Sequence, residues 1–84
     1  MGQFSKWGTL VLLCRDALRI MPPGWNEHGI TIKDEVLEFR ATNGTESFLI
    51  QFPESQLLRT PGELKETVAG AFVERARALG YRRL

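Results

Sequence analysis

His28 and Cys14 carry the side chains of this 84-residue chain that are best suited to chemistry near neutral pH. An imidazole can act as a general base, and a thiolate can act as a nucleophile or a metal ligand. Each is the only residue of its type, whereas zinc needs three or four such ligands and a disulfide needs two cysteines. We therefore expect no metal, no cofactor and no disulfide. A solvated histidine is the favoured interpretation of His28, and a His28-dependent nuclease is an alternative.

Motifs for nucleophilic catalysis, phosphate binding or dinucleotide binding do not occur in the sequence. The carboxylates lie at predicted turns or at outward-facing helix positions, where solvation explains them. Cys14 falls among the apolar residues of the first predicted helix, as a reduced core cysteine does. These features predict a protein without enzymatic activity.

Positive charge is concentrated near the C-terminus, at Arg75, Arg77, Arg82 and Arg83. Arginines at this position can complement the negative end of the helix dipole, or they can bind nucleic-acid phosphate or an acidic protein surface. The net charge of the whole chain is only +1, which is low for a protein dedicated to the phosphate backbone. Nucleic-acid binding is therefore the second choice.

Four apolar residues are candidates for a partner-binding surface: Leu12, Leu13, Ile20 and Trp25. An exposed tryptophan is a common interface anchor, although packing beneath its own loop explains Trp25 equally well. The other three fall away from the main apolar stripe of the first predicted helix. They are therefore either buried on a second side or available to a partner.

The pair Asn43-Gly44 predicts a β-hairpin, because the stretches on both sides alternate between apolar and polar residues. A two-residue type I′ turn at this pair sets Phe39 opposite Phe48. Both rings then lie on one apolar face, and a register slip by one residue would mix the faces.

A second tight reversal at Asp34-Glu35 sets Ile32 opposite Leu37, which keeps the same face apolar. The two turns together predict a three-stranded antiparallel meander with one apolar face and one hydrophilic face. The predicted strands are approximately 29–33, 36–42 and 45–52.

The segment Thr60-Pro61-Gly62-Glu63 predicts a helix start, with a capping hydroxyl, a proline at the first position and the glutamate of a capping box. Gly80 predicts its end. The apolar residues between these signals gather on one side of the helix. They are Leu64, Val68, Ala71, Phe72 and Leu79.

Helical spacing also relates the apolar residues of the first segment, with Ser5 as its cap and Pro22-Pro23 as its terminator. Residues 9–13 are also compatible with a short strand, and we favour the helix. The stripe consists of Phe4, Trp7, Val11, Cys14, Leu18 and Met21.

These elements predict a single α+β domain over residues 1–84, in the order helix, three-stranded antiparallel meander, helix (α-β-β-β-α). Both helices are expected to pack on one face of the sheet. The sequence contains no apolar run of membrane-spanning length and no secretory signal pattern, so we expect a cytoplasmic protein without a membrane partner.

This order of elements resembles the double-stranded RNA-binding domain and the HicA-type RNA-cleaving toxins. The resemblance is one of architecture across nearly the whole chain. Where the RNA-binding domain has a lysine cluster, this chain has Thr60-Pro61-Gly62-Glu63-Leu64-Lys65, and His28 follows Asn26-Glu27 rather than a Gly-Ser pair. The resemblance implies RNA binding or, for the toxins, ribonuclease activity at His28.

We expect a small non-enzymatic protein-interaction module, such as a bacterial or phage regulator or inhibitor that acts by occupying a surface. Its partner is expected to be another protein or a second copy of this chain in a homodimer, ahead of nucleic acid. The predicted partner-binding residues are Trp25, Leu12, Leu13, Ile20, Arg75, Arg77, Arg82 and Arg83.

Overall fold

Two helices and a three-stranded sheet make up most of residues 6–81, the part of the chain that this computed structural model describes. Short 3-10 turns follow the first helix at Leu18–Ile20 and the last strand at Glu54–Leu58. The predicted α+β order is confirmed, and residues 9–13 are helical. In chain order, the elements are α1 (Gly8–Ala17), β1 (Asn26–Lys33), β2 (Val36–Thr42), β3 (Ser47–Pro53) and α2 (Pro61–Ala78).

The sheet is antiparallel with the strand order β1-β2-β3, so β1 and β3 are its edges. The turn between β1 and β2 has two residues, Asp34 and Glu35, with φ angles of 53° and 62°. Positive φ at both positions is the feature of a type I′ turn. Ile32 pairs with Leu37, as predicted from the apolar pattern.

The connection between β2 and β3 differs from the prediction. Phe39 pairs with Ile50 rather than with Phe48, because the loop comprises residues 43–46 and the register is shifted by two residues. The predicted two-residue turn at Asn43-Gly44 is therefore wrong. The division into faces survives, since a shift of two residues returns each side chain to its original side.

The side chain of Asn43 organises this longer loop. Its Oδ1 accepts hydrogen bonds from the backbone N–H groups of Thr45 at 2.9 Å and Glu46 at 2.7 Å. Only Gly44, with φ of 98°, adopts the left-handed region within the loop. An asparagine that bonds to the backbone two and three residues ahead stabilises a wider turn than the type I′ pair.

The core lies between the apolar face of the sheet and the two helices. Phe72 of α2 is central to it, because its ring centroid lies 5.6 Å from that of Phe39 and 5.9 Å from that of Phe48, both in edge-on geometry. From α1 and the residue before it, Trp7, Leu10 and Cys14 are almost completely buried. The predicted Ser5 cap lies outside the described residues.

Helix α2 begins and ends as its sequence predicts. Thr60 Oγ1 accepts from the backbone N–H of Glu63 at 3.2 Å, and the Glu63 carboxylate accepts from the Thr60 N–H at 3.0 Å. The bond that this carboxylate accepts from the Thr60 N–H, followed by the one from the Thr60 hydroxyl, lowers the pKa of Glu63. At the other end, Gly80 has φ of 98° and the N–H of Tyr81 donates to the Ala76 carbonyl, which forms a Schellman cap.

The buried residues of α2 follow a strict four-residue spacing at Leu64, Val68, Phe72 and Ala76. Such a row is inclined to the helix axis, so the contact surface moves around the helix along its length. Arg75, which the helical wheel places within the apolar stripe, is consequently exposed, and the unpredicted Ala76 takes the core position.

The turn assignment predicts that Glu35→Gly raises the free energy of unfolding by about 0.5–1 kcal/mol, because glycine removes the left-handed strain of a residue with a Cβ. Urea titration followed by the fluorescence of the buried Trp7 and Trp25 measures the change. Thr45→Gly is the matched control, since Thr45 lies in the other hairpin loop without positive φ. The free energy of unfolding of Thr45→Gly should fall. An equal fall for Glu35→Gly and Thr45→Gly would contradict the assignment of the type I′ turn to Asp34 and Glu35.

Candidate functional site at the first helix and first strand

An apolar groove of about 460 Å³ lies between α1 and β1. Val11 and Ile30 contribute apolar walls from the helix and the strand, and Leu12 beside them is 65% exposed. Gly8 lies on the same side of α1 as Leu12, since residues four apart share a helix face. Because Gly8 has no side chain, it leaves the helix backbone open to the groove.

An ion pair crosses the groove from helix to strand. Arg15 donates from Nε to Glu27 Oε1 at 2.8 Å and from Nη2 to Oε2 at 3.4 Å. The bond to Glu27, followed by its charge, raises the pKa of Arg15. A two-point contact of this kind fixes the relative position of α1 and β1 and leaves the rim of the groove close to neutral.

A β-bulge at His28 separates Glu27 from the regular part of β1. The register of β1 with β2 shifts between Glu27 and Gly29, and His28 is exposed at the shift. Strand β1 therefore begins at Asn26, earlier than the predicted residue 29. Among residues 6–81, no cluster of three or more His, Cys, Asp or Glu side chains is arranged to hold a metal ion.

A second depression of about 430 Å³ adjoins the groove at Arg15, which lines both. It lies over the 3-10 turn and the Pro22-Pro23 segment, with the edge of Trp25 in its wall. Arg19 also lines this second depression. We refer to the first depression, lined by Gly8, Val11, Leu12, Arg15, Glu27 and Ile30, as the α1–β1 groove.

Of the two interpretations left open for Trp25, the structure shows packing beneath its own loop, since only 7% of this residue is accessible. Its ring centroid lies 5.1 Å from that of Phe48, and its Nε1–H donates to the Tyr81 hydroxyl at 3.4 Å. The loop folds the indole against the sheet, where a buried aromatic ring contributes more to stability than an exposed one. Trp25 is therefore a core residue whose edge borders the surface.

The other predicted partner-binding residues are dispersed. Leu13 and Ile20 are half-buried and pack against the core, so they leave Leu12 as the exposed member of the three. Arg75 and Arg77 are exposed. Arg77 lines a separate groove between α2 and β3, whose lining also includes Glu66 and Glu74. Arg82 and Arg83 lie outside the described residues.

Sequence reasoning missed most of the groove. Gly8, Leu12 and Arg15 are spaced as residues on one side of a helix, and this spacing was a usable signal. The position of Ile30 and Glu27 beside them depends on the docking of α1 over the edge of the sheet. No local pattern in the sequence specifies that docking.

The opposite face of the sheet is hydrophilic, as predicted, and its side chains satisfy one another. Arg40 donates to Thr31 Oγ1 at 3.1 Å and forms an ion pair with Glu38. Gln51 donates to the same carboxylate at 3.0 Å. A ladder of cross-strand bonds of this kind stabilises the sheet and leaves few unpartnered groups for a ligand.

Cys14 is completely buried among the core residues, as expected of a structural thiol. Burial, followed by the negative charge of Glu27, raises its pKa to about 12. A thiol with so high a pKa is protonated at neutral pH and is a poor nucleophile.

No protein-family model matches this chain, and neither the curated proteins nor the solved structures contain a significant match to it. Within residues 6–81, neither helix combines the length and the apolar character required to cross a membrane.

The buried thiol predicts a specific pH dependence of stability. Between its ordinary pKa of 9.0 and the folded-state value of about 12, the unfolded chain has released the proton that the folded chain retains. The free energy of unfolding should therefore fall as pH rises through this window, by at most about 1.4 kcal/mol per pH unit, and the contribution is intact below it.

Urea titrations of the wild-type protein and of Cys14→Ala at pH 8 and pH 10.5 measure this contribution. The variant is expected to have lower stability at pH 8 because a cavity replaces the sulfur, but a shallower decline between the two pH values. Equal declines in the two proteins would show that Cys14 titrates alike in the folded and unfolded chains.

Proposed function

We propose that this domain is a non-enzymatic protein-interaction module that binds its partner through the α1–β1 groove. The observation that supports this most directly is the combination of a highly exposed Leu12 with an apolar groove beside it. The finer proposal is a regulator or inhibitor that acts in the cytoplasm by masking a surface of its partner.

Exposure of the Leu12 side chain to water is unfavourable in free energy. A leucine that moves from water into a protein contact contributes roughly 1.5–3 kcal/mol when its burial is complete. Helix α1 already buries Leu10, Val11 and Cys14 against the core, so its own stability does not require an apolar residue at position 12. A partner that covers Leu12 and fills the groove would recover this free energy.

The rim of the groove also suits a protein partner. The Arg15–Glu27 pair supplies hydrogen-bonding groups at the edge without a net charge that a partner would have to neutralise. Interfaces commonly combine an apolar centre with a polar rim in this way.

The charges at two other places favour protein over nucleic acid. The β1–β2 turn consists of Asp34 and Glu35, and the start of α2 carries Glu63 in its capping box. Lys6 lies beside the β1–β2 turn but is paired with Glu54 at 2.7 Å. Carboxylates at both positions would repel a phosphate backbone.

The test compares Leu12→Glu with Leu58→Glu in affinity capture from native lysate of the source cells, with and without nuclease treatment, followed by mass spectrometry. Leu58 is a matched control because it is 90% exposed and lies in the 3-10 turn after β3, away from the groove. We expect a protein that the wild-type chain retains under both conditions to be lost with Leu12→Glu and kept with Leu58→Glu.

Light scattering of the purified chain completes the experiment, because a second copy is one candidate partner. A dimer that Leu12→Glu dissociates would identify this chain as its own partner. Retention of the same proteins by Leu12→Glu, or binding that nuclease abolishes, would refute the proposed surface.

A further inference from the structure

We propose that the α1–β1 groove receives an extended segment of a partner protein, which adds as a fourth, antiparallel strand to the outer edge of β1, where no strand within residues 6–81 pairs. This inference rests on the proposed function, because it specifies how the same groove would bind. It commits to a peptide strand as the occupant, in preference to a helix or a second copy of this chain.

The outer backbone edge of β1 lies beside the groove. Strand β1 pairs with β2 on one side only, and no described strand pairs with its other side. Alternate residues of an edge strand direct their N–H and C=O groups outwards, where another strand can bond to them. The stretch Gly29–Lys33 is regular, whereas the bulge at His28 interrupts the edge before it. The available template is therefore about five residues long.

Ile30 connects the edge of β1 with the groove. This residue lies in the regular stretch and also lines the groove. In an antiparallel pair, the residues directly opposite each other share a face, so the residue of an added strand opposite Ile30 would project towards Val11 and Leu12. Its immediate neighbours would project towards the hydrophilic face, beside Thr31. The expected segment therefore alternates, with a large apolar side chain on the helix side and polar side chains on the other.

The surface area along β1 distinguishes a peptide from a second copy of this chain as the occupant. The five regular residues Gly29–Lys33 form a strand about 17 Å long. A strip one strand wide along it covers a few hundred Å², well below the roughly 800 Å² that each partner contributes to a standard stable interface. An edge-to-edge homodimer would bury too little surface, whereas a short segment that gains both backbone bonds and a side-chain pocket suits this strip.

A helix in the groove fits the structure less well. It would contact Leu12 with its side chains but would leave the outward N–H and C=O groups of β1 without protein partners. Only an extended chain can form hydrogen bonds with these N–H and C=O groups and also fill the groove.

A library of random 12-residue peptides displayed on phage, selected against the purified chain, tests the inference. We expect the selected peptides to share an apolar-polar alternation with a two-residue period. Their affinity, measured with synthetic copies by fluorescence polarisation, should fall about tenfold with Leu12→Glu and should be unchanged with Leu58→Glu. In NMR spectra of the labelled chain, the shifted amides should lie in Gly29–Lys33 and α1.

Backbone methylation of the best peptide separates a strand from other binding modes. N-methyl groups on the alternate amides that face β1 should weaken binding about tenfold through lost hydrogen bonds, and those on the intervening amides should have little effect. Equal effects of both sets, or a consensus with helical spacing, would overturn strand addition. If Leu12→Glu still abolished peptide binding while strand addition was overturned in this way, the proposed function would stand.

Two further results would count against strand addition. Selection of no peptide would overturn it, and a lysate partner lost with Leu12→Glu would then show that the groove binds in another way. Light scattering that finds a stable dimer sensitive to Leu12→Glu would assign the groove to a second copy of the chain.

Discussion

The packing of Phe72 against the apolar face of the sheet is the interaction on which the rest of this structure depends. Its ring meets Phe39 from the central strand and Phe48 from the edge strand, and Trp25 reaches the same cluster through Phe48. A three-stranded sheet with one apolar face is not stable alone in water, so the helix that carries Phe72 must cover it. The capping box and the Schellman cap set the ends of that helix.

The position of α1 follows from this arrangement. Helix α2 lies against β3 and α1 lies against α2, with Trp7, Leu10 and Cys14 directed into the shared core. Only one side of helix α1 can face inwards, and Leu12 lies opposite the buried side. The cover over the sheet is therefore incomplete at β1, where the groove opens beside a strand edge that no other described strand pairs with. The α1–β1 groove is a consequence of the fold, because the two helices cover the core but not the whole edge of the sheet.

Polar groups are satisfied locally in most other parts of the described chain. The hydrophilic face has its own ladder through Arg40 and Glu38, and the longer hairpin loop has Asn43 as an internal acceptor. The Arg15–Glu27 pair joins helix to strand at the groove. Because these groups already have partners, exposed apolar surface and open backbone are the features of the α1–β1 groove that remain for recognition.

The sequence alone determined the order of the elements, the sides of the sheet, the start and end of α2 and the burial of Cys14, because each depends on a short-range pattern or a cap. The prediction of a type I′ turn at Asn43-Gly44 was wrong. A turn of this type lies instead at Asp34-Glu35, where no glycine indicates it. Tertiary structure alone decided that Trp25 is buried, that Ala76 rather than Arg75 packs inwards, and that Leu12 lies beside Ile30. These outcomes depend on the angle at which the helices cross the sheet, and that angle arises from the packing of many side chains at once rather than from any local sequence.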